Sequence, residues 1–326
     1  MIVKDIFKKI YFRIQAIKPP KSFEKYYLEN IRMLDEAKDD EPLKQLEMNA
    51  NRHRILQYYK THDGSKYQSE IDFLKEHVSH WMICTDELAK FRKNFVDEIE
   101  TIQFDYKREL YYAVRNGRKM YFKRSMDKET AIRYFTITCF EQSSHSAHRY
   151  LDKDFNVEEG SIVLDVGAAE GIFGLDVIDK VKELYLFECD DEWIEALQYT
   201  FEGYDNVEIV KSYVSDVDTE DCVTLDSYCD RLKQEKVFIK MDIEGAEIKA
   251  VNGAQKLLQC ADGLKLAVCA YHRQSDYERL CGLLKTMKLD KSEGYLCPLF
   301  GKIIPPYFRV GVIRATKAGR QNEENY

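Results

Sequence analysis

SIVLDVGAAEGIFGLDVIDKVKELYLFE, residues 161–188, decides the fold. Its two apolar runs, SIVLDVG (161–167) and ELYLFE (183–188), are short enough to be strands, and a Gly-containing turn and a helical stretch through Val181 join them. That is strand, helix, strand. The same alternation continues: helical DEWIEALQYTF (191–201), strand-like VEIVKSYVS (207–215), helical LDSYCDRLK (225–233) and strand-like VFIKMD (237–242). Helical AEIKAVNGAQKLL (246–258), strand-like LKLAVCAY (264–271) and helical DYERLCGLLKTM (276–287) follow. Strands alternating with helices of this length specify a parallel sheet covered on both faces. The ending differs. EGYLCPLF (293–300) and YFRVGVIRAT (307–316) are two strand-like stretches joined by a Pro-containing turn, and they predict an antiparallel pair closing the sheet.

Outward from this core, the 326-residue chain has room for a second unit. Its net charge of −8 argues against nucleic acid as a partner, because phosphate binding needs a basic face. The nine cysteines include no CxxC, which removes a zinc clamp or a thioredoxin-like motif. Cys189 and Cys269 sit in apolar runs, where a free thiol acts as a small hydrophobe, and a reducing cytoplasm is the simplest expectation. Residues 1–105 read as a helical N-terminal region. Within it Ile2, Ile6, Phe7, Ile10, Ile14 and Ile17 recur near helical spacing among Lys4, Lys8, Lys9, Arg13 and Lys18. A basic amphipathic helix over residues 1–18 suits peripheral contact with the inner membrane face, and also docking on the protein itself, the commoner case for such helices.

Residues 106–140 read as a β-hairpin and a connecting segment, with Asn116-Gly117 as a type I′ turn signal. Arg115, Arg118, Lys119, Lys123 and Arg124 make the hairpin the most basic stretch of the chain, suited to an anionic substrate or to a solvated sheet edge. Residues 141–316 form the α/β domain, and 317–326 a disordered tail.

Ligands of such sheets lie at the carboxyl ends of the strands. The first strand ends in Asp165-Val166-Gly167-Ala168-Ala169-Glu170-Gly171, whose spacing fails the dinucleotide fingerprint because Ala169 replaces its second glycine. A carboxylate before the turn suits a cationic ligand better than a pyrophosphate. Glu188 closes the next strand, placed to accept ribose hydroxyls, and Ser215 and Asp216 follow where an adenine edge would lie. Asp165, Gly167, Ala168, Gly171, Glu188, Ser215 and Asp216 are therefore the expected cofactor residues. In FIKMDIEGAE (238–247), Asp242 is the first candidate to bind or deprotonate an acceptor hydroxyl, and Lys240 lies on the same strand face. Glu244 and Glu247 fall at a helix start, where negative charge is favoured for structural reasons alone. His272, at the end of the fifth strand, is a candidate general base. A divalent metal is permitted by these ligand types but not expected, since no spacing demands it.

VLDVGAAEGIFGL, YLFECDDEW, VTLDSY, FIKMDIEGAEIKAVNGA and LAVCAYHRQSD together resemble the FkbM-type family of S-adenosylmethionine-dependent methyltransferases. The resemblance covers roughly residues 141–316; one departure is Ala169, where the family often has Asn. It implies a class I methyltransferase (Rossmann-like) fold of seven strands with the last antiparallel. It also implies S-adenosylmethionine as cofactor and methyl transfer, usually to oxygen, often on sugars of polysaccharides. The acceptor is then a small molecule or glycan. A catalytically silent cofactor- or glycan-binding scaffold is the alternative.

Overall fold

The structure is a computed structural model that describes residues 41–77, 82–88, 90–91, 102–261, 263–300 and 303–317. The amphipathic segment 1–18 and residues 318–326 of the expected tail lie outside the described residues. Among those described, no helix is long and apolar enough to cross a membrane.

The chain divides into two compact units, one of Met1–Asp86 with Gly294–Arg309, the other of Glu87–Glu293 with Val310–Tyr326. In the first, α1 (Glu41–Tyr58) and α2 (Gln68–Glu76) flank a short 3₁₀ turn at Ser65–Tyr67. Ile55, Tyr67 and Leu74 pack with Cys297, Leu299, Tyr307 and Phe308 into this unit's own core. The guanidinium of Arg52 donates to the carbonyls of Lys75 and His77 at 2.7 and 2.9 Å, satisfying the exposed end of α2.

The second unit opens with a three-stranded antiparallel sheet, β1 (Gln103–Asp105), β2 (Leu110–Arg115) and β3 (Arg118–Tyr121), followed by α3 (Lys128–Glu141). Asn116 and Gly117 both take positive φ, 50° and 76°, as a type I′ turn requires. Asp127 starts α3 by accepting the Thr130 amide at 2.7 Å.

The main sheet follows. β4 (Ser161–Val166), α4 (Ile172–Val177), β5 (Val181–Glu188), α5 (Asp191–Thr200) and β6 (Val207–Lys211) come first. A separate parallel pair, β7 (Tyr213–Val214) and β8 (Cys222–Val223), and the single turn α6 (Cys229–Leu232) lead to β9 (Val237–Met241). Then come α7 (Glu247–Asn252), α8 (Gln255–Cys260), β10 (Lys265–Cys269), α9 (Asp276–Leu283), β11 (Lys288–Lys291) and β12 (Val312–Thr316). The seven strands lie in the order β6-β5-β4-β9-β10-β12-β11, and β12 runs antiparallel to both its neighbours. Every residue of β4 is buried, as the centre of a sheet covered on both faces requires. Asp226 of the TLDSY stretch accepts the amides of Lys256 and Leu257 at 2.8 and 2.9 Å, capping the start of α8.

Four expectations are corrected. The antiparallel closure exists, but its first strand is Lys288–Lys291; EGYLCPLF is not a sheet strand, and Leu296 within it makes only isolated bridges to Ile83 and Arg309. An apolar run beside a turn signal reads alike whether it joins a sheet or fills another unit's core. For the same reason the division at 141–316 differs from the compact units, since Gly294–Arg309 packs with the first unit and the hairpin with the second. The strand expected over 207–215 ends at Lys211, and Ser215 follows β7 instead. Finally, Cys229 and Cys260 lie side by side with Cα atoms 6.8 Å apart, a proximity that scattered cysteines gave no reason to expect.

Candidate active site

β4 and β9 are parallel neighbours with Asp165 in register with Lys240. Their side chains meet inside the sheet: Lys240 Nζ lies 3.0 Å from Asp165 Oδ1 and also donates to the Gly167 carbonyl. Asp165 is 0% exposed and Lys240 5%. Burial opposes the charge of Lys240, but Asp165 and Asp242 overcome it and hold the ammonium well above the ordinary lysine range. Lys240 thus makes its ion pair with Asp165, where the strand face alone had suggested Asp242. Both residues support the turn that follows β4 from beneath.

That turn is fixed by close approach. A Cβ on Gly167 would stand 2.0 Å from the Asp242 carbonyl oxygen, and φ there is +80°, so only glycine lets this turn pack against the end of β9. Ala168 donates its amide to Phe187 O at 3.0 Å, while Ala169 stands at φ +46°, a left-handed conformation costly for an L residue. Glu188, at the end of β5, accepts the amides of Ala169, Cys189 and Asp190 at 2.9, 2.7 and 2.9 Å. A carboxylate has about four acceptor positions, so capacity is left for a further donor. Gly171 then opens α4 at φ +79°. Ser215 and Asp216 lie beyond β7, the Ser215 hydroxyl donating to Asp216 at 3.2 Å.

Asp242 follows β9 with its carboxylate ringed by one phenol and two imidazoles. Tyr150 Oη donates to Oδ2 at 2.8 Å, His148 Nε2 lies 3.3 Å from Oδ2, and His272 Nε2 lies 3.4 Å from Oδ1. Burial alone would raise its pKa, yet His148, Lys240 and His272 hold the carboxyl far below the usual carboxylate range. His272 has Nδ1 2.9 Å from Glu247 Oε1 and Nε2 3.5 Å from Glu244. Burial disfavours its cation, but Glu247, Asp242 and Glu244 together raise its pKa. Glu247, buried, also accepts the amides of Ile243 and Gly245, so its role is to hold this corner together. The structure therefore brings Asp242 and His272 together, and leaves Lys240 beneath them.

The expected site residues omit His148, Tyr150, Tyr271 and Glu170, although His148 and Tyr150 lie just before the first strand, in a segment that in this fold can lid the cofactor. His148 Nε2 lies 3.1 Å from Tyr271 Oη, and Tyr134 Oη donates to Glu170 at 2.9 Å. The buried Arg314 of β12 donates to the carbonyls of Arg149 and Tyr150 at 2.8 and 3.0 Å and pairs with Asp152, so the last strand fixes the segment carrying His148 and Tyr150. Only their position before β4 could have drawn attention to them. Two groups, His148 with Asp242 and Cys269, and Asp242 with Glu247 and His272, bring metal-ligating atoms within 4.8 Å of one another. The contacts just described already engage Asp242 with His148 and His272, and His272 with Glu247.

The basic hairpin has partners within its own unit. Arg115 makes a bidentate pair with Asp176 at 2.9 and 2.7 Å, Asn116 joins it, Arg118 pairs with Asp179, Lys123 with Asp190 at 2.7 Å and Arg124 with Glu195 at 2.6 Å. These contacts clamp the small sheet onto α4 and α5.

Seven strands in this order, an antiparallel β12 and acidic groups gathered at the ends of β4, β5 and β9 define a class I methyltransferase fold. Residues 165–303 match the methyltransferase FkbM domain. No curated protein matches the chain. Among solved structures, the methyltransferase FkbM from Methylobacillus flagellatus KT is 19% identical over 85% of this chain and 71% of its own, with a TM-score of 0.40. TYW2 of M. jannaschii, in complex with AdoMet, is 14% identical over 64% of this chain and 86% of its own, with a TM-score of 0.37. A SAM dependent methyltransferase from Aquifex aeolicus is 15% identical over 50% and 86%, with a TM-score of 0.33.

Proposed function

We propose that this protein is an S-adenosylmethionine-dependent O-methyltransferase acting on a sugar hydroxyl of a glycan or glycan precursor. The observation that carries this reading is the Asp242 corner, where two imidazoles and a phenol converge on one carboxylate directly against the Gly167 turn. The turn supports the cofactor's place: its backbone is shaped by Gly167, Ala168 and Gly171, Glu188 keeps acceptor capacity for a ribose hydroxyl, and Ser215 and Asp216 offer polar groups toward a purine. Asp165 acts through Lys240, which ties it to the Gly167 carbonyl.

S-adenosylmethionine supplies, when bound, a methyl group already activated for displacement. What the chain must do is hold the acceptor oxygen in line and take its proton. Asp242 accepts the hydroxyl's hydrogen bond and orients it. Glu247 fixes His272 with its proton on Nδ1, which leaves the Nε2 lone pair to receive the acceptor's proton. The imidazolium formed is then stabilised by Asp242, Glu244 and Glu247. The basic amphipathic pattern of residues 1–18 supports work at an anionic membrane face, where glycan precursors are assembled. Unchanged partition of a chain lacking residues 1–20 onto anionic vesicles would remove that part.

The test is transfer of labelled methyl from S-adenosylmethionine to a panel of free sugars and methyl glycosides. His272→Gln and Asp242→Asn should lower transfer by about 10²- to 10⁴-fold, as loss of a general base does, with S-adenosylhomocysteine binding retained. Binding without transfer to any sugar would support the silent scaffold instead.

A further inference from the structure

Glu170 stands in the cofactor turn, one residue before Gly171, and is only 5% exposed. Its carboxyl receives the hydroxyl of Tyr134 from α3 at 2.9 Å, and the Tyr134 ring lies 5.3 Å from that of Trp193 at the start of α5. Among the described residues, the charged and titratable groups that act on it are Tyr134 and Glu141 of α3 and Lys240 of β9. Lys240 is bound to Asp165 and Gly167, and Glu141 is a second carboxyl. The chain thus builds an acid into this turn, and the cation that acts on it, Lys240, is committed to Asp165 and Gly167. Burying such a group without a counter-charge is costly, and the cost is met by taking a proton. Burial accordingly pushes Glu170 up to about 7.

A buried acid that takes up a proton this readily is suited to a ligand that brings its own positive charge. Resting on the cofactor reading above, we propose that Glu170, held by Tyr134, is the counter-charge for the cationic amino-acid end of the cofactor, and that loading the cofactor drives one proton off this carboxyl. The proton passes from Glu170 to solvent, and the ligand's ammonium takes its place as the partner of the carboxylate. Glu170 is in this sense a binding residue for the methyl donor rather than a packing residue of α4.

The experiment is calorimetric titration of the full chain with S-adenosylhomocysteine between pH 5.5 and 8.5, in paired buffers of different ionisation enthalpy. Near neutral pH the native chain should release a proton on binding, and its affinity should fall about tenfold for each pH unit below 7, because the carboxyl must first ionise. Glu170→Gln should bind about tenfold more weakly at pH 8 and lose both the proton release and the pH dependence. Tyr134→Phe, which removes a donor to the carboxylate, should move the affinity midpoint to higher pH; a residue that merely fills space would not. Binding that is independent of pH in the native chain, or unchanged in folded Glu170→Gln, overturns the proposal while leaving the methyltransferase reading intact. No binding in any folded chain overturns both.

Discussion

Replacing Lys240 by Met removes the cation from a carboxylate that has no access to water, because Asp165 is 0% exposed and its ion pair spans 3.0 Å. Breaking one side of a buried pair costs about 3–5 kcal/mol, against a total stability of about 5–15 kcal/mol. The chain can limit the loss by protonating Asp165, since burial already favours its neutral form and Lys240 opposes that shift. Protonation costs about 1.4 kcal/mol per pH unit above a reference near 3.9, hence about 5 kcal/mol at pH 7.5 and about 1.5 kcal/mol at pH 5. With Lys240 gone, the folded state binds a proton that the unfolded chain has released, so stability falls as pH rises. Urea denaturation of Lys240→Met by far-UV circular dichroism should therefore show a penalty of several kcal/mol at pH 7.5 that shrinks to about 1–2 kcal/mol at pH 5. The double variant Asp165→Asn, Lys240→Met carries no bare charge and should regain most of the loss. A penalty under about 1 kcal/mol at pH 7.5, or one that does not shrink in acid, would refute the buried-pair reasoning and return Lys240 to the acceptor side as a reacting group.

Ala169→Gly relieves a left-handed Ala at the cost of a more flexible unfolded chain. The balance should raise stability by about 0.5–1 kcal/mol, read as a melting temperature about 2 °C higher. Asp226→Ala leaves the amides of Lys256 and Leu257 uncapped and should cost about 1–2 kcal/mol in the same denaturation assay, with Asp226→Asn costing less. Glu170, raised to about 7, contributes stability that is complete below about pH 4 and lost as pH rises through 7. The native chain should therefore lose up to about 3 kcal/mol between pH 5 and 8.5 from this group, and Glu170→Gln should flatten that slope.

The sequence by itself determined the sheet. Strands buried on both faces must be continuous apolar runs, so SIVLDV, VFIKM and KLAVC announce themselves without reference to anything distant. Positive φ at Asn116 and Gly117, and the glycines of the turn after β4, follow from local chemistry in the same way. The strand ends carry Asp165, Glu188, Asp242 and His272 in chain order, which made these candidate residues legible once the sheet was known.

Tertiary structure alone decided the partners. Asp165 and Lys240 are 75 residues apart and meet only because β4 and β9 are neighbours in register. His148 and Tyr150 reach Asp242 because Arg314, on the last strand, holds the carbonyls of Arg149 and Tyr150. EGYLCPLF, apolar enough for a strand, fills the core of the other unit instead, because burial rewards any apolar surface that leaves water and does not record which one. The hairpin's cations are likewise matched by acids on helices whose sequence positions give no sign of the pairing. Local backbone preference and hydrophobic period are written in neighbouring residues; electrostatic pairing is a property of distance in space, and that is known only after the chain has folded.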